Sequence, residues 1–222
     1  MGSGERGSGN IVSETREVNG FRALEIDYPA EVFVRQDSRE SLTIEAEDNL
    51  LPGLKTEVKS GVLQIFYKTE RDKHVNPTQT VKISIVVKDL VDVEFNSAGQ
   101  LTIERLRTGN LDVSLTGAGS LDLDRVQLKS LGIHLSGAGS MTASGTNEDL
   151  DLNISGFGDF KGADLHGKVA DVNISGAGSA TVWVDDNLTA SISGAGSIRY
   201  YGSGSMRKQI SGVGNVSHMG NK

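Results

Sequence analysis

A tetrad returns at a nearly fixed interval through the second half of the chain, and that interval limits the fold more than any single residue does. It reads Gly117-Ala118-Gly119-Ser120, Gly137-Ala138-Gly139-Ser140, Gly156-Phe157-Gly158-Asp159, Gly176-Ala177-Gly178-Ser179, Gly194-Ala195-Gly196-Ser197 and Gly212-Val213-Gly214-Asn215. Ser97-Ala98-Gly99-Gln100 is a degenerate first copy. Successive copies begin 20, 20, 19, 20, 18 and 18 residues apart, at the short end of the range that marks a solenoid.

Each tetrad follows an apolar run of period two, such as Leu111, Val113, Leu115 or Leu150, Leu152, Ile154. That alternation is the pattern of a strand with one buried face. Carried through the tetrad, it places both glycines inward and the Ala and Ser outward. The expectation is a sharp bend where two sheets meet, at an edge too narrow for an inward side chain, with glycine tolerating unusual φ/ψ there. A phosphate-cradling loop would need a helix after its glycines, whereas Leu121-Asp122-Leu123-Asp124 resumes the strand alternation. The other bend of each coil is polar and variable, as at Asp124-Arg125, Gly145 to Asp149, His166-Gly167-Lys168, Asp185-Asp186-Asn187 and Gly202 to Ser205. Insertions tolerated at such a surface corner account for the drifting period.

The fold expected is all-β: a parallel β-helix, or β-solenoid, of 18–20-residue coils that turn at the Gly-x-Gly corners. Equivalent positions then stack into ladders, with Leu115, Leu135, Ile154, Ile174, Ile192 and Ile210 inside and Ser120, Ser140, Asp159, Ser179, Ser197 and Asn215 outside. Residues 1–10 read as a flexible Gly/Ser leader. Residues 11–95 carry strands without the glycine corner, read as wider, irregular coils of the same solenoid in preference to a β-cap. Residues 96–222 are the regular repeats, continuous with what precedes them. Within the irregular part, Lys55–Val58 and Val62–Tyr67 form a hairpin closed at Lys59-Ser60-Gly61, and Lys68 to Thr80 is an exposed loop. At the far end Arg207-Lys208-Gln209 stands in place of an apolar strand, which suits a last coil with nothing stacked on it.

Composition narrows the function. A net charge of −7 argues against nucleic acid and against anionic membrane surfaces. The absence of cysteine removes disulfides and thiol chemistry, and no stretch reaches the roughly 20 apolar residues of a membrane helix. The leader has no signal-peptide character; an export signal or lipid-anchor segment is expected ahead of it.

Candidate chemistry is sparse. Asp112, Asp151 and Asp171 occupy equivalent outward positions, with Gly132 intervening and Asn153 and Asn173 alongside. They form the binding face suggested by the sequence. Paired carboxylates one coil apart also suit glycoside hydrolysis, and the same Asp/Asn column, or Asp185-Asp186-Asn187, offers oxygens to calcium. A solvated acidic face, with no aromatic platform for a sugar, is the preferred explanation, so no catalytic, metal or cofactor-binding residue is assigned and no cofactor is expected. His74, His134, His166 and His218 are scattered. Trp183 and Tyr201 point outward where strands leave the glycine corner.

Gly9-Asn10-Ile11-Val12 leading to Phe21, Val32-Phe33-Val34-Arg35-Gln36, Asn49-Leu50-Leu51-Pro52 and the serial Ser-Gly-Ala-Gly-Ser repeats together resemble the bacterial family of putative autotransporter-type adhesin head domains, the GIN domains. The resemblance covers nearly the whole chain. It implies a pectin-lyase-like parallel β-helix whose Gly-x-Gly motifs turn between sheets, on an exported protein of the cell surface, periplasm or outer envelope. It supplies no catalytic set. The expected function is that of a non-catalytic adhesin or binding module for a glycan or surface protein, with self-association at an open solenoid end. The alternatives are a polysaccharide-active enzyme using the acidic column and an envelope scaffold or sensor.

Overall fold

The computed structural model describes residues 5–68 and 75–222. The period-two runs form strands β1 (Glu5–Arg6), β2 (Ile11–Arg16), β3 (Ala23–Ile26), β4 (Glu31–Gln36), β5 (Ser41–Glu47), β6 (Leu54–Lys59), β7 (Val62–Tyr67), β8 (Val75–Asn76), β9 (Lys82–Val87) and β10 (Asp92–Phe95). The repeats supply β11 (Gln100–Glu104), β12 (Arg107–Leu115), β13 (Ser120–Leu135), β14 (Ser140–Thr146), β15 (Asp149–Ile154), β16 (Asp159–Ile174), β17 (Ser179–Ile192), β18 (Ala195–Tyr201), β19 (Ser205–Ile210) and β20 (Val213–His218). One 3-10 turn at Leu51–Gly53 is the sole helical element among the described residues.

The molecule is a β-solenoid. One face stacks β7, β3, β10, β12, the second half of β13, β15, the second halves of β16 and β17, and β19, all in parallel. The other stacks β9, β4, β11, the first half of β13, β14, the first halves of β16 and β17, β18 and β20. Between them lies one continuous apolar core. Leu115, Leu135, Ile154, Ile174 and Ile192 form the expected inner ladder and are at most 2% exposed. Each such side chain contributes about 1.5–3 kcal/mol of burial. Ile210, the last rung, is 38% exposed, since no described strand covers it. The polar run at Arg207 to Gln209 is nonetheless part of strand β19, with Lys208 opposite Ala190.

The glycine corners rest on two contacts, only one of which is the narrow inner edge that the alternation suggests. No tetrad glycine has a positive φ, so unusual backbone geometry is not what selects glycine. Close approach of the neighbouring coil is. A Cβ on Gly137 would sit 2.0 Å from the carbonyl oxygen of Gly117, and the same contact recurs at Gly156, Gly176, Gly194 and Gly212, one coil after another. The first glycine of each tetrad therefore faces along the axis and not inward. The second borders the core: a Cβ on Gly139 would lie 2.6 Å from Leu115 Cδ2 and 2.5 Å from the Gly119 oxygen.

The first coils do not stack in chain order. After β3 and β4 form a coil beneath β10 and β11, the chain makes β5 and the antiparallel β6–β7 hairpin, then lays β7 and β9 outside β3 and β4. Ser60 and Gly61 close the hairpin with φ of 51° and 81°, the left-handed geometry of a tight hairpin turn. Antiparallel β2, β5 and β6 cover this end.

Residues 5–10 differ from the free leader their composition suggests. β1 pairs with β8, Gly7 N–H donates to Asn76 O (3.0 Å) and Ser8 N–H to Asn49 Oδ1 (2.9 Å). Glu47, buried, accepts from Gly9 N–H (2.7 Å), Thr78 N–H (2.9 Å) and Thr78 Oγ1 (2.5 Å). These acceptors order a segment with no apolar reason to fold. Residues 1–4, and with them the start of the leader, lie outside the described residues, as do His74 and the middle of the loop read over 68–80.

Candidate binding surfaces

The solenoid register decides which outward residues meet. On the β12/β15 face, one column runs Asp92, Asp112, Gly132, Asp151, Asp171, Thr189 and Arg207. Beside it runs Glu94, Ser114, His134, Asn153, Asn173, Ser191 and Gln209. The structure thus brings Asp151, Asp171, Asn153 and Asn173 together in two consecutive coils. Asn153 Nδ2 donates to Asp151 Oδ1 (2.7 Å) and Asn173 Nδ2 to Asp171 Oδ1 (2.9 Å), the same carboxylate–amide pair twice over. A groove of about 380 Å³ lies next to them, lined by Asn153, Asn173, Ser175, Ser191, Ser193 and Gln209.

Asp112 is set apart from this pair of pairs. Its carboxylate leans across the neighbouring coil, where a Cβ on Gly132 would be 2.2 Å from Asp112 Oδ1. Its partner on the other side is Asp92, five residues ahead of the degenerate Ser97 copy as Asp112 is five ahead of Gly117, a member of the column that the sequence reading left out. Partial burial, followed by the Asp112 charge, pushes the Asp92 carboxyl above its ordinary value. Among the described residues no group of three or more His, Cys, Asp or Glu side chains is arranged to hold a metal ion.

Along the glycine corners, grooves of about 560 and 250 Å³ adjoin at Ala98, Gly99 and Ser120. Phe157, which takes the alanine position of its tetrad, stands at one end and is 73% exposed. Asp159 in the same tetrad accepts from Ser179 Oγ (2.6 Å).

The polar corner carries a third surface. Thr146, His166, Trp183 and Tyr201 are in register across four coils. The His166 and Trp183 rings are 4.5 Å apart, close to the strand spacing of about 4.8 Å. Asp185 binds both, with Oδ2 2.6 Å from His166 Nε2 and Oδ1 accepting from Trp183 Nε1 (3.2 Å). The His166 hydrogen bond, supported by that from Trp183, holds the Asp185 carboxyl below its usual range. Sequence counting hid this column because register shifts between Lys161 and His166, and between Gly167 and Val169, break the simple period. His134 is exposed on the first face, and His218 stacks on Tyr200 with ring centroids 4.7 Å apart.

Comparison with known proteins adds a family and a fold. The model of the family described as "Putative auto-transporter adhesin, head GIN domain" matches residues 20–204. No curated protein matches the chain. Among solved structures, a putative adhesin from Bacteroides fragilis superimposes with a TM-score of 0.92 at 24% identity, covering 97% of this chain and 100% of its own. A putative lipid binding protein from Parabacteroides distasonis gives 0.82 at 22% identity, over 98% and 100% of the two chains. A putative adhesin from Parabacteroides merdae gives 0.77 at 22% identity, over 96% and 98%. At these identities the likeness establishes a shared solenoid fold.

Proposed function

The chain belongs to the GIN-domain family of putative autotransporter adhesin heads, and from that premise we propose that it is a non-catalytic contact module displayed outside the cell, holding a glycan strand or a protein surface against its Asp/Asn/Ser face. The observation that supports this reading is the duplicated pair Asp151–Asn153 and Asp171–Asn173, in register one coil apart beside the serine-lined groove. A repeating set of acceptors and amide donors, spaced by about 4.8 Å, suits a ligand that is itself repetitive and rich in hydroxyls. Among the described residues no helix is long and apolar enough to cross a membrane.

The enzymatic alternative places acid and base on the same Asp151–Asp171 pair. It is the weaker reading: both carboxylates are exposed, and each is tied to an asparagine in the same way, so nothing separates an acid from a base as glycoside hydrolysis demands. One experiment addresses both. Asn153→Ala with Asn173→Ala, and Asp151→Asn with Asp171→Asn, are compared with the native chain on a glycan array, for binding to a protein-coated surface and on a polysaccharide panel. The proposal expects at least tenfold weaker binding in both variants, an unchanged Tm and no turnover by any form. Undiminished binding in both variants contradicts it, and turnover abolished by the aspartate pair supports the enzyme instead.

A further inference from the structure

Trp183 and Tyr201 do not stand empty. The Lys222 ammonium lies 5.6 Å from the Trp183 ring centroid and 5.0 Å from that of Tyr201, within the range of a cation–π contact. The same Nζ donates to Asp164 Oδ1 (2.8 Å) and to the Ala163 carbonyl (2.9 Å). Two aromatic rings, a carboxylate and a carbonyl oxygen therefore converge on one nitrogen. An exposed lysine–aspartate pair alone would mean little; the rings and the carbonyl make this a cage.

The walls are fixed independently of the lysine. Trp183 and Tyr201 are register partners on β17 and β18. Trp183 is further held by its hydrogen bond to Asp185 and by the His166 ring packed against it. The lysine is less firmly held. Met219 N–H donates to Tyr200 O (2.8 Å) and Gly202 N–H to Gly220 O (3.2 Å), after which Gly220 turns the chain at a φ of 97°. Beyond Gly220 it is the Lys222 side chain that makes the contacts, so the ammonium can leave without unpairing a strand.

We propose that this cluster is an alkylammonium-binding site, filled in cis by Lys222 and able to take a lysine side chain of a protein partner when Lys222 is displaced. The site is separate from the Asp/Asn face, so it stands or falls apart from the glycan reading. The ligand class follows from the occupant: a primary ammonium on a flexible alkyl stem, whose charge meets both rings and Asp164.

Trp183 is the only tryptophan in the chain, so tryptophan emission comes from a wall of the cage. Lys222→Met is compared with the native chain, and each is titrated with n-butylammonium and with neutral n-butanol; Lys222→Ala provides a second form should the first fold poorly by circular dichroism. The expected result is a changed emission in the variant that n-butylammonium restores saturably. The native chain should need at least tenfold more, and Asp164→Asn in the Lys222→Met background should weaken the response about three- to tenfold. Emission unaltered by both Lys222 substitutions overturns the cis occupancy. A response to n-butylammonium no different from that to n-butanol overturns the recognition of ammonium.

Discussion

Gly176 stacks so closely on Gly156 that a methyl group added to it would lie 2.1 Å from the Gly156 carbonyl oxygen. Backbone stands on both sides of this contact, so no side-chain rotation can relieve the clash. Gly176→Ala is expected to destabilise the solenoid by about 3 kcal/mol, at the upper end for overpacking. Gly109→Ala, where nothing lies within 4 Å of the added carbon, should stay within about 0.5 kcal/mol of the native chain. Urea denaturation of both variants checks the pair, and equal losses would contradict the coil-contact explanation.

Glu47 makes the N-terminal segment sensitive to acid. Its hydrogen bonds, the Thr78 hydroxyl foremost, hold the carboxyl below its ordinary value of 4.5. A depressed carboxyl stabilises fully above the unfolded value, and that contribution is lost as pH falls through the folded one. Hydrogen exchange at the Gly9 and Thr78 amides, corrected for intrinsic rates, should therefore accelerate below about pH 4.5, while the Leu152 amide stays protected. Glu47→Gln should remove the difference between pH 7 and pH 4.

Asp92 works in the opposite direction. Burial and the facing Asp112 raise its carboxyl above the ordinary 3.8, so the charged form costs stability above the folded value, and the cost shrinks as pH falls below that value and is gone below the ordinary 3.8. Asp92→Asn should stabilise the chain at pH 7 by about 0.5 kcal/mol, the scale of a like-charge pair across strands, with the gain gone at pH 3. A loss of stability at pH 7 would contradict this account of the column.

Phe157 offers a test of what an exposed aromatic is for. With 73% of its surface in water, Phe157→Ala should change stability by less than about 0.5 kcal/mol. A larger loss in thermal unfolding would mean that the ring supports the fold.

Much of the molecule was legible from the repeat because a parallel solenoid converts sequence period directly into spatial neighbours. The inner ladder from Leu115 to Ile210, the outer ladder from Ser120 to Asn215 and the hairpin at Ser60-Gly61 all follow from counting. Counting failed where the period is interrupted. The antiparallel β5 and β6 displace β7 and β9 to the outside of an earlier coil, which no linear reading orders. Irregular pairing at the polar corner concealed the His166–Trp183–Tyr201 column. The narrow inner edge expected at the corners holds for the second glycine of each tetrad, which borders core side chains, but not for the first, since alternation reports which way a side chain would point and not how near the next backbone lies. Of the candidate face, Asp151 and Asp171 meet as equivalent positions should, while Asp92 holds the same place ahead of the degenerate Ser97 copy, whose missing first glycine obscures the repeat.

Equivalent residues of successive coils lie side by side, and cross-linking probes that neighbourhood cleanly in a chain without cysteine. Asn153→Cys with Asn173→Cys joins register partners, about 4.8 Å apart across parallel strands and within disulfide reach. Asn153→Cys with Asp171→Cys is offset by two residues, about 8 Å, and beyond that reach. Mild oxidation should close the first pair nearly completely, with native circular dichroism, and leave the second largely as free thiols. Failure of the first pair to close, or closure of both at equal rates, would contradict the stacked-coil account.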